Sequence, residues 1–166
     1  MRHMFSASLG LLAAMLASVA PAGAQTQWNL PTAYVQDNPH TQNILKFTEE
    51  VAAATDGKLQ IRVFPNGSLF KGAEIKRVVA TGQAQMGEVL MALHENENPV
   101  WGVDTVPFLA TSFEQGRKLW EAQRPVIAKI LDEQGLIPLF AVPWGPNGIF
   151  SNRPITRIED MNGMKW

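Results

Sequence analysis

Side chains able to do covalent or acid-base chemistry are few in this sequence. Of the three histidines, His3 lies in the N-terminal segment, which leaves His40 and His94, and no cysteine offers a thiolate nucleophile. No Gly-x-Ser-x-Gly elbow accompanies either histidine. His40 falls in the first turn of an expected helix, where a solvated or capping role outweighs catalysis. His94, Glu95 and Glu97 are metal-ligating types, but neighbours in one loop have no frame that makes them converge on an ion. Gly67 to Gly72 has the outline of a phosphate loop without its Gly-Lys-Ser/Thr ending, because Ala73 follows Gly72. The helix start near Gly72 offers only the generic attraction of free amides for an anion. Asn66-Gly67-Ser68 fits a glycosylation acceptor, although an Asn-Gly turn accounts for the same residues on backbone grounds. The pattern argues against an enzyme, and no metal or cofactor is expected.

Three other residues have the positions of ligand contacts. Tyr34 directly follows the first expected strand, and Met91 follows the strand expected at 86–90, both at strand ends where open α/β sheets place ligands. Trp144 lies in a stretch crowded by Pro143, Gly145, Pro146 and Gly148, where a side chain can face a cleft. Packing in a core or hinge is the alternative reading for Tyr34, Met91 and Trp144.

The elements that must position these residues alternate. Trp28 to Thr32 reads as extended, and Asn38-Pro39 as an N-cap followed by proline at the first helical position. Ile44, Phe47, Val51 and Ala54 then mark the buried face of a helix that Gly57 ends. Leu59, Ile61 and Val63 alternate as a strand closed by Pro65-Asn66-Gly67, and Gly72 to Thr81 forms a second helix capped by Gly82. A strand is expected over Met86 to Leu90, a loop over His94 to Gly102, and an extended run over Thr105 to Leu109. Phe113–Gln123 and Val126–Gln134 read as two helical stretches separated by Arg124-Pro125, and Leu136–Val142 as a strand. Beyond the Pro/Gly crossing come an extended Ile149–Asn152, about one helical turn at Ile158–Met161, and the start of a strand at Met164. Alternating helices and strands mean an α/β sheet.

Arg2, the apolar run Phe5 to Val19 and Ala22-Gly23-Ala24 have the layout of a cleavable export signal over residues 1–24. With Arg2 removed, 13 of the 14 Lys and Arg remain against 15 Asp and Glu, a charge of −2 that gives a nucleic-acid partner no support. With no cysteine, hydrophobic burial alone must stabilise an exported fold.

Several segments in order resemble the solute receptors of tripartite ATP-independent periplasmic (TRAP) transporters. They are Gly57-Lys58-Leu59 leading to Val63-Phe64-Pro65-Asn66-Gly67-Ser68-Leu69, then Gly82-Gln83-Ala84-Gln85-Met86, then Val106-Pro107-Phe108-Leu109. The most specific are the last, Ser151-Asn152-Arg153-Pro154-Ile155 and Ile158 to Lys165. The resemblance implies the first lobe of a type II-like two-lobed periplasmic binding protein over residues 25–144. Residues 145–166 would be the crossing segment and the truncated start of a second lobe. It further implies an arginine clamp for a carboxylate at the position after Trp166, and places Asn147 where some members carry a second arginine. Arg153 reads as surface structure.

The function implied is that of a periplasmic protein, not itself membrane-spanning, that closes on a small organic acid and delivers it to the membrane permease subunits of a TRAP transporter. The ligand-binding residues are then Tyr34, Met91, Trp144 and Asn147, with Trp144 a wall and Asn147 a polar contact. Leu90-Met91-Ala92 and Trp144 suggest a less polar pocket, suited to a hydrophobic or aromatic acid more than to a polyhydroxylated one. A ligand-sensing partner of a signalling receptor and, more remotely, a periplasmic enzyme are the rival readings. Because one lobe cannot close on a ligand, residues 25–166 alone are expected to bind no organic acid measurably by calorimetry.

Overall fold

A computed structural model describes residues 25–145 and 150–165; the expected export signal, Asn147 and Trp166 lie outside them. Strand β1, Thr26–Pro31, pairs in parallel with β2, Leu59–Phe64, in a register running from Thr26 opposite Leu59 to Pro31 opposite Phe64. Parallel neighbours require a crossover, which helix α1, Pro39–Ala54, provides while packing on β2. Asn38 caps α1 through its side-chain oxygen, which accepts from the His40 amide at 2.9 Å, and Pro39 occupies the first turn. Gly57, at φ +74°, closes the helix end with its amide donating to the Ala52 carbonyl at 2.8 Å. The buried stripe of α1 differs from the expected one. His40, Thr41, Ile44 and Thr48 are buried and Ala54 is exposed.

Helix α2, Gly72–Ala80, buries Ile75 and Val78 completely and ends at a left-handed Gly82. The chain then returns along the free edge of β1. The Met86 amide donates to the Asn29 carbonyl at 3.3 Å, and the Glu88 amide to the Pro31 carbonyl at 3.2 Å. The Gln85 side chain accepts from the Asn29 amide at 2.9 Å. The strand expected over 86–90 does not form; these bonds alone dock the segment alongside β1, and the sheet keeps two strands among the described residues. Gly87 permits this docking: a Cβ there would stand 2.4 Å from the Ile75 Cγ2 and 3.0 Å from the Val79 Cγ2.

Two 3-10 turns, Met91–His94 and Pro99–Thr105, replace most of the loop expected at 94–102 and bury Trp101. They also displace the extended run expected at 105–109. Val106 to Leu109 folds as a tight turn instead, with the Leu109 amide donating to the Val106 carbonyl at 3.2 Å and Phe108 left-handed at φ +64°. The two stretches expected around Pro125 are a single helix α3, Phe113–Asp132, capped by the Ser112 hydroxyl. Proline removes one backbone bond, while the Gln123 side chain donates to the Val100 carbonyl at 2.9 Å and Ile127 is buried, holding the flanking turns in place. Gly135 closes the helix end as expected.

The strand expected at Leu136–Val142 does not form, nor does the one expected to start at Met164 among the described residues, while the extended run expected at Ile149–Asn152 begins outside them. A strand needs a neighbour to accept its ladder, and alternation in one segment does not supply one. Phe140 packs instead against Phe47 of α1, ring centroids 5.4 Å apart, and Ile137 is 80% exposed. Ile158–Met161 is one 3-10 turn. The Asp160 carboxylate accepts from the Thr156 and Arg157 amides, and the Thr156 bond above all holds its pKa below the usual carboxylate value. Arg153 donates to the Asp160 carbonyl at 2.8 Å, in keeping with a role in surface structure.

The close approach at Gly87 makes a specific demand. Gly87→Ala is expected to cost about 1–3 kcal/mol by overpacking against α2. Gly116→Ala, in a helix interior with open space at its Cβ, should gain about 0.5–1 kcal/mol. Urea unfolding of the two variants checks the difference in sign.

Candidate ligand-binding site

The C-terminal end of β1 gathers a cluster of polar and aromatic side chains. Thr32, fully buried, follows the strand and continues its ladder by donating its amide to the Phe64 carbonyl at 3.0 Å. The turn after β2 then clamps the segment, the Gly67 amide donating to the Thr32 carbonyl at 2.9 Å and the Asn66 amide to that of Tyr34 at 2.6 Å. The left-handed Asn66 and Gly67 give that turn its shape. The Thr32 hydroxyl accepts from the Tyr34 amide at 3.2 Å and donates to the Glu88 carboxylate. His40, only 8% exposed, reaches in from the first turn of α1, with Nδ1 3.7 Å from the nearer Glu88 oxygen.

Three rings cluster here, with His40 the one beside the carboxylate. Trp144 lies 4.1 Å from His40 at an interplanar angle of 30°, and meets Tyr34 edge to face at 5.1 Å; Tyr34 and His40 are 5.7 Å apart. Burial raises the Glu88 pKa, offset in part by the Thr32 hydroxyl and the neighbouring His40. Burial also raises the Tyr34 pKa, with the Glu88 charge adding to it and a hydrogen bond to Trp144 opposing.

Of the residues expected from sequence, Tyr34 and Trp144 are thus brought together from positions 110 residues apart. Met91 is half-buried and opens the 3-10 turn three residues beyond Glu88. Asn147 lies outside the described residues. Of the solvated or capping role expected for His40, its amide is the capped donor of α1, while its ring is buried in the cluster and not solvated. Thr32 and Glu88 carried no signal of their own, since only the pairing of 86–88 with β1 places them together. They also add a buried polar core that the expectation of a less polar pocket omitted.

His94, Glu95 and Glu97 do not converge on an ion site. Glu97 lies between Lys76 and the His94 Nδ1, the latter at 3.0 Å, and Lys76 stands 5.5 Å from the Trp101 ring centre. This cationic neighbour, through its hydrogen bond first, holds Glu97 below the usual carboxylate pKa. Among the described residues no group of three acidic, histidine or cysteine side chains is arranged to hold a metal. The N-terminus of α2 has its own anion, because the Glu74 carboxylate accepts from the Lys71 amide at 3.2 Å. An open depression of about 440 Å³ beside Trp28, Ala54 and Lys58 lies at the other end of β1 from the ring cluster. It is an open surface concavity away from the converging polar and aromatic groups. No described helix is long and apolar enough to cross a membrane.

Residues 32–166 match the family model of the bacterial extracellular solute-binding proteins, family 7 (DctP). The chain belongs to this family. Among its relatives, solute-binding protein RD1_1052 of Roseobacter denitrificans is 31% identical over 126 residues, which are 73% of this chain and 38% of that protein. The crystal structure of DctP6, a Bordetella pertussis extracytoplasmic solute receptor binding pyroglutamic acid, is 46% identical with a TM-score of 0.82. The match covers 85% of this chain and 47% of that one. A marine metagenome TRAP solute-binding protein specific for pyroglutamate is 42% identical with a TM-score of 0.78, over 85% and 46% of the two chains. This family-7 chain thus spans about half the length of the solved receptors it matches, and its α/β organisation with a parallel sheet is that of a first lobe in the TRAP receptor fold.

The buried Glu88 carboxylate has a pH signature. Its folded-state pKa is raised, so its ionised form is disfavoured by folding, and it costs stability as pH rises from the unfolded glutamate value through the folded one. Glu88→Gln keeps an acceptor for Thr32 without the charge. Its thermal midpoint without ligand should equal or exceed that of the wild type at pH 7, with the difference closing below about pH 4. A wild type clearly more stable than the variant at pH 7 would contradict this.

Proposed function

We propose that this chain is the first lobe of a periplasmic receptor that captures a small cyclic organic acid and presents it to the permease subunits of a TRAP transporter, making and breaking no bond. The 46% identity to a receptor that binds pyroglutamic acid carries the reading. The geometry of the cluster supports it. Tyr34, His40 and Trp144 form an aromatic cluster near the end of β1, at a strand end of the kind where open α/β sheets bind ligands. In this reading residues 1–24 direct export, residues 25–144 form the lobe, and 145–166 cross toward a second one. Trp144 is the wall, Tyr34 and Met91 line the strand ends, and Asn147 contributes a polar contact from the crossing. Capture then proceeds by closure of two lobes about the crossing.

The test is thermal shift and calorimetry on the protein as its gene encodes it. L-pyroglutamate should raise the unfolding midpoint by mass action, while glucuronate and galactonate should not. Trp144→Ala should weaken pyroglutamate binding roughly tenfold, the equivalent of about 1.4 kcal/mol for one aromatic contact. Stabilisation by the sugar acids with none by pyroglutamate would overturn the ligand class.

A further inference from the structure

Glu88 poses a problem for a receptor of anions. A carboxylate whose side chain is 17% exposed stands near the end of β1, beside His40 of the ring cluster. Its hydrogen bonding is incomplete. A carboxylate has about four lone-pair sites. The Thr32 hydroxyl takes one on Oε2, and the His40 Nδ1, at 3.7 Å from Oε1, is beyond hydrogen-bond distance. The ligand's own carboxylate is excluded from this position, since two unit charges 4 Å apart repel by about 4 kcal/mol at a protein-like dielectric. Whatever faces Glu88 must therefore be the end of the ligand that donates a hydrogen bond.

We propose that Glu88 is the specificity-determining residue of the site, its carboxylate accepting the ring N–H of a cyclic amide acid while the acid's own carboxylate points away. The proposal rests on the receptor reading above and extends it to a named atom. Several features of the cluster serve this one contact. Thr32 fixes the carboxylate rotamer from a fully buried position whose backbone is held by the Phe64 carbonyl and the Gly67 amide. The Glu88 amide is anchored on the Pro31 carbonyl, which sets the height of the side chain relative to the strand end. His40 lies on the Oε1 side and partly offsets the burial of the charge. Trp144 stacks on His40 at 4.1 Å, 30° from parallel, so the imidazole beside the carboxylate is itself held in place. A hydrogen bond to an ionised acceptor in such surroundings is stronger than a neutral one. An analogue that cannot make it leaves the buried carboxylate without its partner.

The ring-oxygen isostere of pyroglutamate, 5-oxotetrahydrofuran-2-carboxylate, replaces the N–H by an ether-type oxygen and keeps the shape and the carboxylate. Calorimetric affinities of L-pyroglutamate and this lactone are measured for wild type and for Glu88→Gln in the protein as its gene encodes it. The wild type should prefer pyroglutamate by at least about 100-fold, as sites built to bond a polar hydrogen reject analogues lacking it. In Glu88→Gln the preference should fall to within about tenfold, because the Gln amide can accept from N–H or donate to the ring oxygen. Equal wild-type affinity for the two acids would sink the role of Glu88 while leaving the receptor reading intact, and so would a variant that keeps the wild-type ratio. A wild type that binds neither acid would remove the ligand class and this contact with it. The lactone comparison on the wild type does not depend on the variant folding.

Discussion

The docking of residues 85–88 along the free edge of β1 is the constraint on which the rest of this structure depends. Two backbone bonds, from Met86 to Asn29 and from Glu88 to Pro31, hold the returning chain against the strand that ends among the ligand-contact candidates. The pairing is possible only because residue 87 has no side chain to meet Ile75. Helix α2 can therefore pack its fully buried Ile75 and Val78 close beneath the returning chain. Every side chain of the cluster is placed relative to that contact. Thr32 extends from the end of β1, Glu88 from the chain docked along its edge, and His40 from the helix that crosses over to β2.

The cluster also shows how a protein of net acidic charge can keep a largely buried carboxylate near the end of β1. Desolvation disfavours the ionised form, and a hydroxyl and an imidazole partly offset it. The remaining acceptor capacity is directional. In the proposed receptor reading it faces the donor end of the ligand and separates the two negative groups. A second buried network, Lys76 with Glu97 and His94 beside Trp101, has the opposite character. There the charges neutralise one another, tying α2 to the 3-10 turns, and that chemistry is structural.

Local signals were strong where a motif satisfies itself within a few residues. Asn38-Pro39 capping α1, Gly57 and Gly82 closing helices, and the Asn66-Gly67 turn are each complete in the chain segment that carries them. They were readable for that reason. The proline at 125 misled because its cost is a single lost bond, which the burial of Ile127 and the anchoring of Gln123 outweigh. Alternation at 136–142 misled for the converse reason: a period of two describes a strand's faces and not its partner. The buried face of α1 was misplaced because the polar His40, Thr41 and Thr48 fill positions where periodicity looks for apolar residues.

The amino-acid sequence by itself determined the α/β class, the order of the first four elements, the family, and the two aromatic residues at a strand end and a crossing. All of these rest on short-range backbone preferences or on ordered motifs, which survive without knowledge of contacts. Tertiary structure decided that Tyr34 and Trp144 meet, that His40 is buried with them, and that Glu88 and Thr32 form the polar centre between them. These residues come from four separate segments. Their convergence depends on which edge of β1 the returning chain occupies, a long-range choice made by the packing of α2 against Gly87 and encoded in no single stretch of residues.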